Sequence, residues 1–216
     1  MVWHVWGAIC ANYFPHIALT PASERWAIDR EAYRGTRARP SKIKPDLVIK
    51  RLRPAQPQQN LPPQVDSRDV LWIECKAAKE DTPSGWKNVL GEATERLESA
   101  HPNRRVFLII AIGWKCLFFA WDPIGAAQTQ LFIQPANSTS QPWMIDPRIR
   151  FAVDGPWLDR NTGEILLNQA MTLECFSSVM VNGQSALVNG GGLQLIENLL
   201  LAIEATPLPG LNPTQF

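Results

Sequence analysis

Several things are scarce in this chain, and each scarcity removes a class of function. Its 216 residues contain no stretch near the ~20 uninterrupted apolar residues that a membrane-spanning helix requires. Its four cysteines, Cys10, Cys75, Cys116 and Cys175, are far apart and form no C-x-x-C pair, which argues against a zinc site or a disulfide framework. Three of them lie in apolar surroundings and read as core thiols, a usage that fits a reducing compartment, nucleus or cytoplasm. Only three histidines occur, His4, His16 and His101, and none has a motif spacing, so no Ser-His-Asp arrangement follows. Gly190-Gly191-Gly192 has no lysine or serine at the spacing of a phosphate loop. The first residues lack a basic segment, and Asn12, Pro15 and His16 interrupt any apolar one, so a secretory signal is not expected. There is no internal repeat.

The composition that remains is globular, 45% hydrophobic and 19% charged, enough for one sizeable core. Net charge is only +1, but it is unevenly spread. Residues 1–122 carry 18 basic and 13 acidic side chains, a net of +5, whereas residues 123–216 carry 3 and 7, a net of −4. Eight basic groups fall within residues 34–53, among them Arg37, Arg39, Lys42, Lys44, Lys50 and Arg51, with Asp46 as the single acid. Such a cluster suits a phosphate backbone.

Hydrophobic periodicity predicts the elements. Residues 22–33 read as an amphipathic helix that Gly35 could end. Leu47 to Leu52 and Val70 to Lys76 read as strands rich in branched and aromatic residues. The Pro-, Gln- and Asn-rich stretch between them, residues 53–69, reads as a loop, because proline gives no ladder donor. Residues 84–100 read as a helix capped by Ser84, with Trp86, Val89, Leu90, Ala93 and Leu97 as its apolar stripe and Pro102 closing it. Val106 to Ile112 is apolar enough to be a central strand, and Cys116 to Trp121 should return antiparallel to it across a tight Gly113-Trp114-Lys115 connection. A helix between Lys76 and Val106 permits a crossover. Beyond residue 122, strand-like runs at Leu131–Gln134, Ile149–Val153 and Leu166–Val181 precede a helix from Leu193 to Ala205. This divides the chain into a core (1–122), a β-rich extension packed on it (123–205) and a tail (206–216). The fold class is α/β, a mixed central sheet flanked by helices.

Strand alternation places Trp72, Glu74 and Lys76 on one face and Leu71, Ile73 and Cys75 on the other. If the two strands pair, Asp46 and Glu74 converge, with Lys76 beside them. Pro45-Asp46 followed by Glu74-Cys75-Lys76 resembles the PD-(D/E)xK nuclease superfamily, whose core is the restriction-endonuclease-like fold. The order helix, strand, strand, helix, strand, strand is similar to that core. The resemblance covers about the first 122 residues and departs in its long gap between the acids. It implies Mg²⁺- or Mn²⁺-dependent cleavage of DNA, with RNA left open. It implies a metal held by Asp46 and Glu74 with the Cys75 carbonyl as a third ligand, and Lys76 assisting the attacking water. It implies an acid from an upstream helix, here Glu24 or Glu31, with Glu24 preferred. Lys87, Glu92 and Glu95 are candidates for a further polar group from the helix after the motif. Homodimerisation is an option, since many relatives cut duplexes as dimers. The alternatives are an inactive protein of the same fold that binds nucleic acid or protein, as an effector or assembly factor, and a regulatory subunit whose acidic second half docks a partner. Trp26, Trp72, Trp114 and Trp121 are expected to pack internally, and Trp86 is the best candidate to stack on a base.

Overall fold

A computed structural model of the chain describes residues 2–15, 25–30, 45–54, 65–125, 129–137, 139–173, 176–181, 184–189 and 191–205. Its first element is helix α1 (Val2–Tyr13), which the interruptions noted above concealed. Trp6 and Cys10 of α1, and Phe14 just after it, are buried, and α1 packs against β1 (Arg25–Arg30), β2 (Leu47–Pro54) and β3 (Val65–Lys76).

Two expectations fail here for the same reason. Residues 25–30 form strand β1 instead of a helix, paired antiparallel with β2 through Trp26↔Arg51 and Ile28↔Ile49. Trp26 and Ile28 are two apart, and a sheet edge gives that spacing a partner which an isolated helix would lack. The expected loop is also shorter than it reads, because β2 and β3 continue their antiparallel pairing to Arg53↔Asp66 and Pro54↔Val65. Pro54 closes β2, so its missing N–H interrupts nothing. Residues 55–64 lie outside those described.

From β3 the chain follows the predicted order. Helix α2 (Pro83–Ala100) starts one residue earlier than read, with Thr82 as N-cap accepting from the Gly85 N–H and Pro83 in the first turn. Its buried residues include the predicted stripe, Trp86, Val89, Leu90, Ala93 and Leu97. Strand β4 (Val106–Ile112) pairs parallel with β3, and β5 (Lys115–Trp121) pairs antiparallel with β4. Between them Gly113 has φ +60°, where a Cβ would also stand 2.9 Å from the Ala78 Cβ, so only glycine fits without strain.

The second half completes the same sheet. Strands β6 (Phe132–Ile133) and β7 (Trp143–Met144) form a small ribbon. Strands β8 (Ile149–Phe151) and β9 (Met171–Thr172) both pair with β5, giving a seven-stranded mixed sheet. Strands β10 (Phe176–Val181) and β11 (Gln184–Asn189) make a separate hairpin, and α3 (Gly191–Ala205) packs on α1 and β9. No helix among the described residues is long and apolar enough to cross a membrane.

Candidate functional site

The pairing of β2 with β3 begins at Leu47↔Ile73, so Asp46 stands where β2 has not yet started and β3 still runs on to Lys76. The Cys75 N–H therefore meets no β2 backbone; it donates instead to Asp46 Oδ2 at 2.7 Å. Asp46 and Glu74 are thereby brought to neighbouring positions, where the Asp46 charge adds to the rise in the Glu74 pKa.

Glu74 points to the α2 side and is 1% exposed. Its Oε2 accepts from Arg96 at 2.6 Å, while Oε1 is buried without a hydrogen-bond partner. Burial raises its pKa from 4.5 to about 7, with Asp46 adding to the rise and Arg96 and Lys76 opposing it. A carboxylate so enclosed favours its neutral form unless a cation compensates. Lys76 extends to Glu92 Oε2 of α2 at 2.9 Å, and Arg96 also approaches that oxygen at 3.5 Å. The result is an alternating chain, Glu74–Arg96–Glu92–Lys76, that ties β3 to α2. Arg96 is half-buried; burial works against its charge, and Glu74 and Glu92 outweigh that, so its pKa is raised.

Arg96 was not foreseen. Its signal was the Glu92/Arg96 pair one turn apart on α2. That pattern alone reads as a solvated face; only the packing of α2 over β3 turns it toward Glu74. Of the three helix candidates, Glu92 joins the site and Glu95 has no bond to it. Lys87 stands over the Trp143 ring instead, at 5.7 Å.

The upstream acid is not supplied by a helix in the expected place, because residues 25–30 are a strand. Helix α1 carries no acidic residue. Glu24 and Glu31 lie outside the described residues, as do Arg37, Arg39, Lys42 and Lys44. Of the expected phosphate-gripping residues that are described, Lys50 is ion-paired with Asp29. Arg51 is corrected more sharply: it is 3% exposed, its guanidinium lies 4.6 Å over the Trp26 ring and it donates to the Glu204 carbonyl at 2.8 Å. It fastens α3 to the sheet and is not presented to a ligand.

The tryptophans also redistribute. Trp26, Trp72 and Trp121 are buried as expected. Trp86, the favoured stacking candidate, is fully buried and donates its indole N–H to Asp81 Oδ1 at 2.9 Å. Trp114, expected inside, is 64% exposed at the β4–β5 turn. His101 caps α2 and is buried against Asp69, with Nε2 3.1 Å from Oδ2. The Trp72 indole N–H donates to the same Asp69 oxygen at 3.0 Å, so this is a structural lock under the helix end.

No family model, curated protein or solved structure matches this chain. The reading of the site therefore rests on its own geometry. Burial pushes the Cys75 thiol well above the usual thiol range, so it stays protonated. Among the described residues no group of three or more acidic, histidine or cysteine side chains is arranged as a ready metal cage. The donor set nevertheless fits a hard divalent cation in part. The Asp46 charge acts on Glu74 across the end of β3, and Glu74 Oε1 is an enclosed oxygen with no hydrogen-bond partner.

Proposed function

We propose that this chain is a PD-(D/E)xK-type nuclease that hydrolyses DNA phosphodiester bonds with a divalent cation. The observation that carries the proposal is the meeting of Asp46, Glu74 and Lys76 where β2 begins and β3 ends, with one buried Glu74 oxygen unpartnered. The element order α1, β1, β2, β3, α2, β4, β5, with β3 and β4 parallel across α2, supports a restriction-endonuclease-like core.

In this reading Asp46 and Glu74 would hold Mg²⁺ or Mn²⁺, with the Cys75 carbonyl as a third ligand. When bound, the cation would polarise the phosphodiester and acidify a water molecule. Lys76 orients that water or neutralises charge developing on the phosphate. Glu92 positions Lys76 through their ion pair, so that the ammonium stands beside the acids instead of ranging through solvent. Arg96 compensates the charge that Glu74 carries when ionised, a role that a bound cation would share. Asp46 keeps its grip on the Cys75 N–H, which fixes the end of β3 relative to β2. Phosphate recognition would fall to the basic residues before Asp46.

A second reading, a protein of this fold that binds without cutting, is favoured by two features: Arg96 already pairs with Glu74, and α1 offers no acid. A cleavage assay separates the two. Plasmid, linear duplex and single-stranded DNA are incubated with Mg²⁺ or Mn²⁺ and wild type, Asp46→Ala or Lys76→Ala protein, with folding checked by circular dichroism. Cleavage by wild type and its loss in both folded variants is the expected result. Absence of cleavage by wild type, or equal cleavage by the variants, overturns the hydrolytic reading in favour of binding alone.

A further inference from the structure

Beside the acids, on the α1 side of the sheet, lies a cavity of about 460 Å³, within the range of small-ligand sites, roughly 300–1,000 Å³. Trp3 and Val5 of α1 form one wall, Gly113 and Trp114 of the β4–β5 turn another, and Leu173 a third. Lys76 lines it as well, so one residue borders both the cavity and the acidic site.

The aromatic lining is unusual in its exposure. Trp114 leaves 64% of its surface to solvent, on a turn whose backbone is held from two sides. The Gly113 N–H donates to the Lys76 carbonyl at 3.1 Å, and the Leu173 N–H donates to the Trp114 carbonyl at 2.9 Å. A large indole presented on a rigid turn is preorganised to stack at little entropic cost. Among the residues that line the cavity, Lys76 is the charged one. The Arg30 guanidinium lies 4.9 Å over the Trp3 ring, Lys76 borders the cavity with its ammonium held by Glu92, and no acidic side chain is among the described residues that line the cavity. Flat apolar walls with cations at the rim complement a ligand that is aromatic and anionic at once, which is the chemistry of a nucleotide.

We propose that this cavity is a nucleobase subsite that takes one unpaired base of a single-stranded or frayed DNA end, stacked on Trp114, while its phosphate lies toward Lys76. The proposal rests on the nuclease reading for its choice of ligand, and it adds a preference that the acids alone do not specify. A base inside a duplex is stacked on both faces and cannot enter, so the subsite selects unpaired strands.

The test is fluorescence anisotropy with a short labelled oligothymidylate and a blunt duplex of equal length, at fixed salt and in EDTA, so that no cleavage occurs. Wild type should bind the single strand more tightly than the duplex. Trp114→Ala should weaken single-strand binding about 5- to 100-fold, the loss expected for one aromatic–base stack. Trp114→Phe should retain most of it, and duplex binding should not change in either variant. Wild type that binds neither probe, prefers the duplex, or binds the single strand equally well after Trp114→Ala overturns the proposal. So does a Trp114→Phe loss as large as that of alanine; an unchanged affinity would fit an apolar site for a protein side chain instead. Because metal is absent, oligonucleotide binding without later cleavage counts only against hydrolysis, and cleavage without Trp114-dependent binding counts only against the subsite.

Discussion

Replacing Glu74 by glutamine should alter how stability depends on pH more than it alters stability itself. The native carboxyl is buried and its pKa stands at about 7 against an ordinary 4.5. The folded state therefore holds a proton over that interval which the unfolded chain releases. The stability this group contributes is complete below about pH 4.5 and is lost as pH rises through 7. An offset of that size corresponds to about 3 kcal/mol, to order of magnitude. Glutamine does not titrate, and Arg96 keeps its charge throughout the window, so the interaction of residue 74 with Arg96 is independent of pH in the variant and the wild-type titration alone shapes the difference. The stability of Glu74→Gln relative to wild type should thus rise by about 3 kcal/mol from pH 4.5 to pH 7, whatever its starting offset. Urea unfolding in EDTA, at half-unit pH steps, reads this directly. In thermal melts it corresponds to roughly 6–12 °C for a chain of this size. Parallel pH profiles for the two proteins would refute the claim that Glu74 is neutralised by burial in the metal-free site.

Three other substitutions probe the assignments around it. Arg51→Gln should lower stability by about 1–3 kcal/mol, through the lost α3 carbonyl bond and Trp26 packing, while leaving DNA affinity at constant salt unchanged; a large affinity loss in a stable variant would return Arg51 to the binding surface. Gly113→Ala should cost at least about 1 kcal/mol, because a left-handed φ and the contact with Ala78 act together, and an unchanged melting temperature would contradict that turn geometry. His101→Ala should cost about 1–3 kcal/mol, since it removes a partner from the buried Asp69 carboxylate, and it should leave Mg²⁺-dependent cleavage intact once the protein is folded.

How much of this was legible beforehand varies element by element. Helix α2 and strands β4 and β5 were readable because their patterns are decided locally: a five-residue apolar stripe at helical spacing, and two apolar runs joined by a glycine turn. Strand β1 was not, because Arg25–Arg30 has charges at both ends and only Trp26 and Ile28 to bury, a pattern that β2 resolves by pairing with it. Helix α1 was hidden by polar residues, His4 and Asn12, which stay exposed while Trp6 and Cys10 are buried against the sheet. The fate of each charged residue was the least legible, since Arg51 and Arg96 look alike in sequence and one clamps a helix end while the other meets a buried carboxylate.

By itself the sequence determined the alternation that puts Glu74 and Lys76 on one face of a strand, the apolar runs of the central sheet and the uneven spread of charge. These follow from side-chain period and composition, which need no neighbours. Tertiary structure alone decided that Asp46 stands beside the end of β3, that Arg96 closes over Glu74, that Trp86 is inside and Trp114 outside. Each depends on where β2 starts against β3 and which way α2 and the β4–β5 turn face. Burial and charge pairing are properties of such arrangements between segments distant in sequence, and no local pattern encodes them.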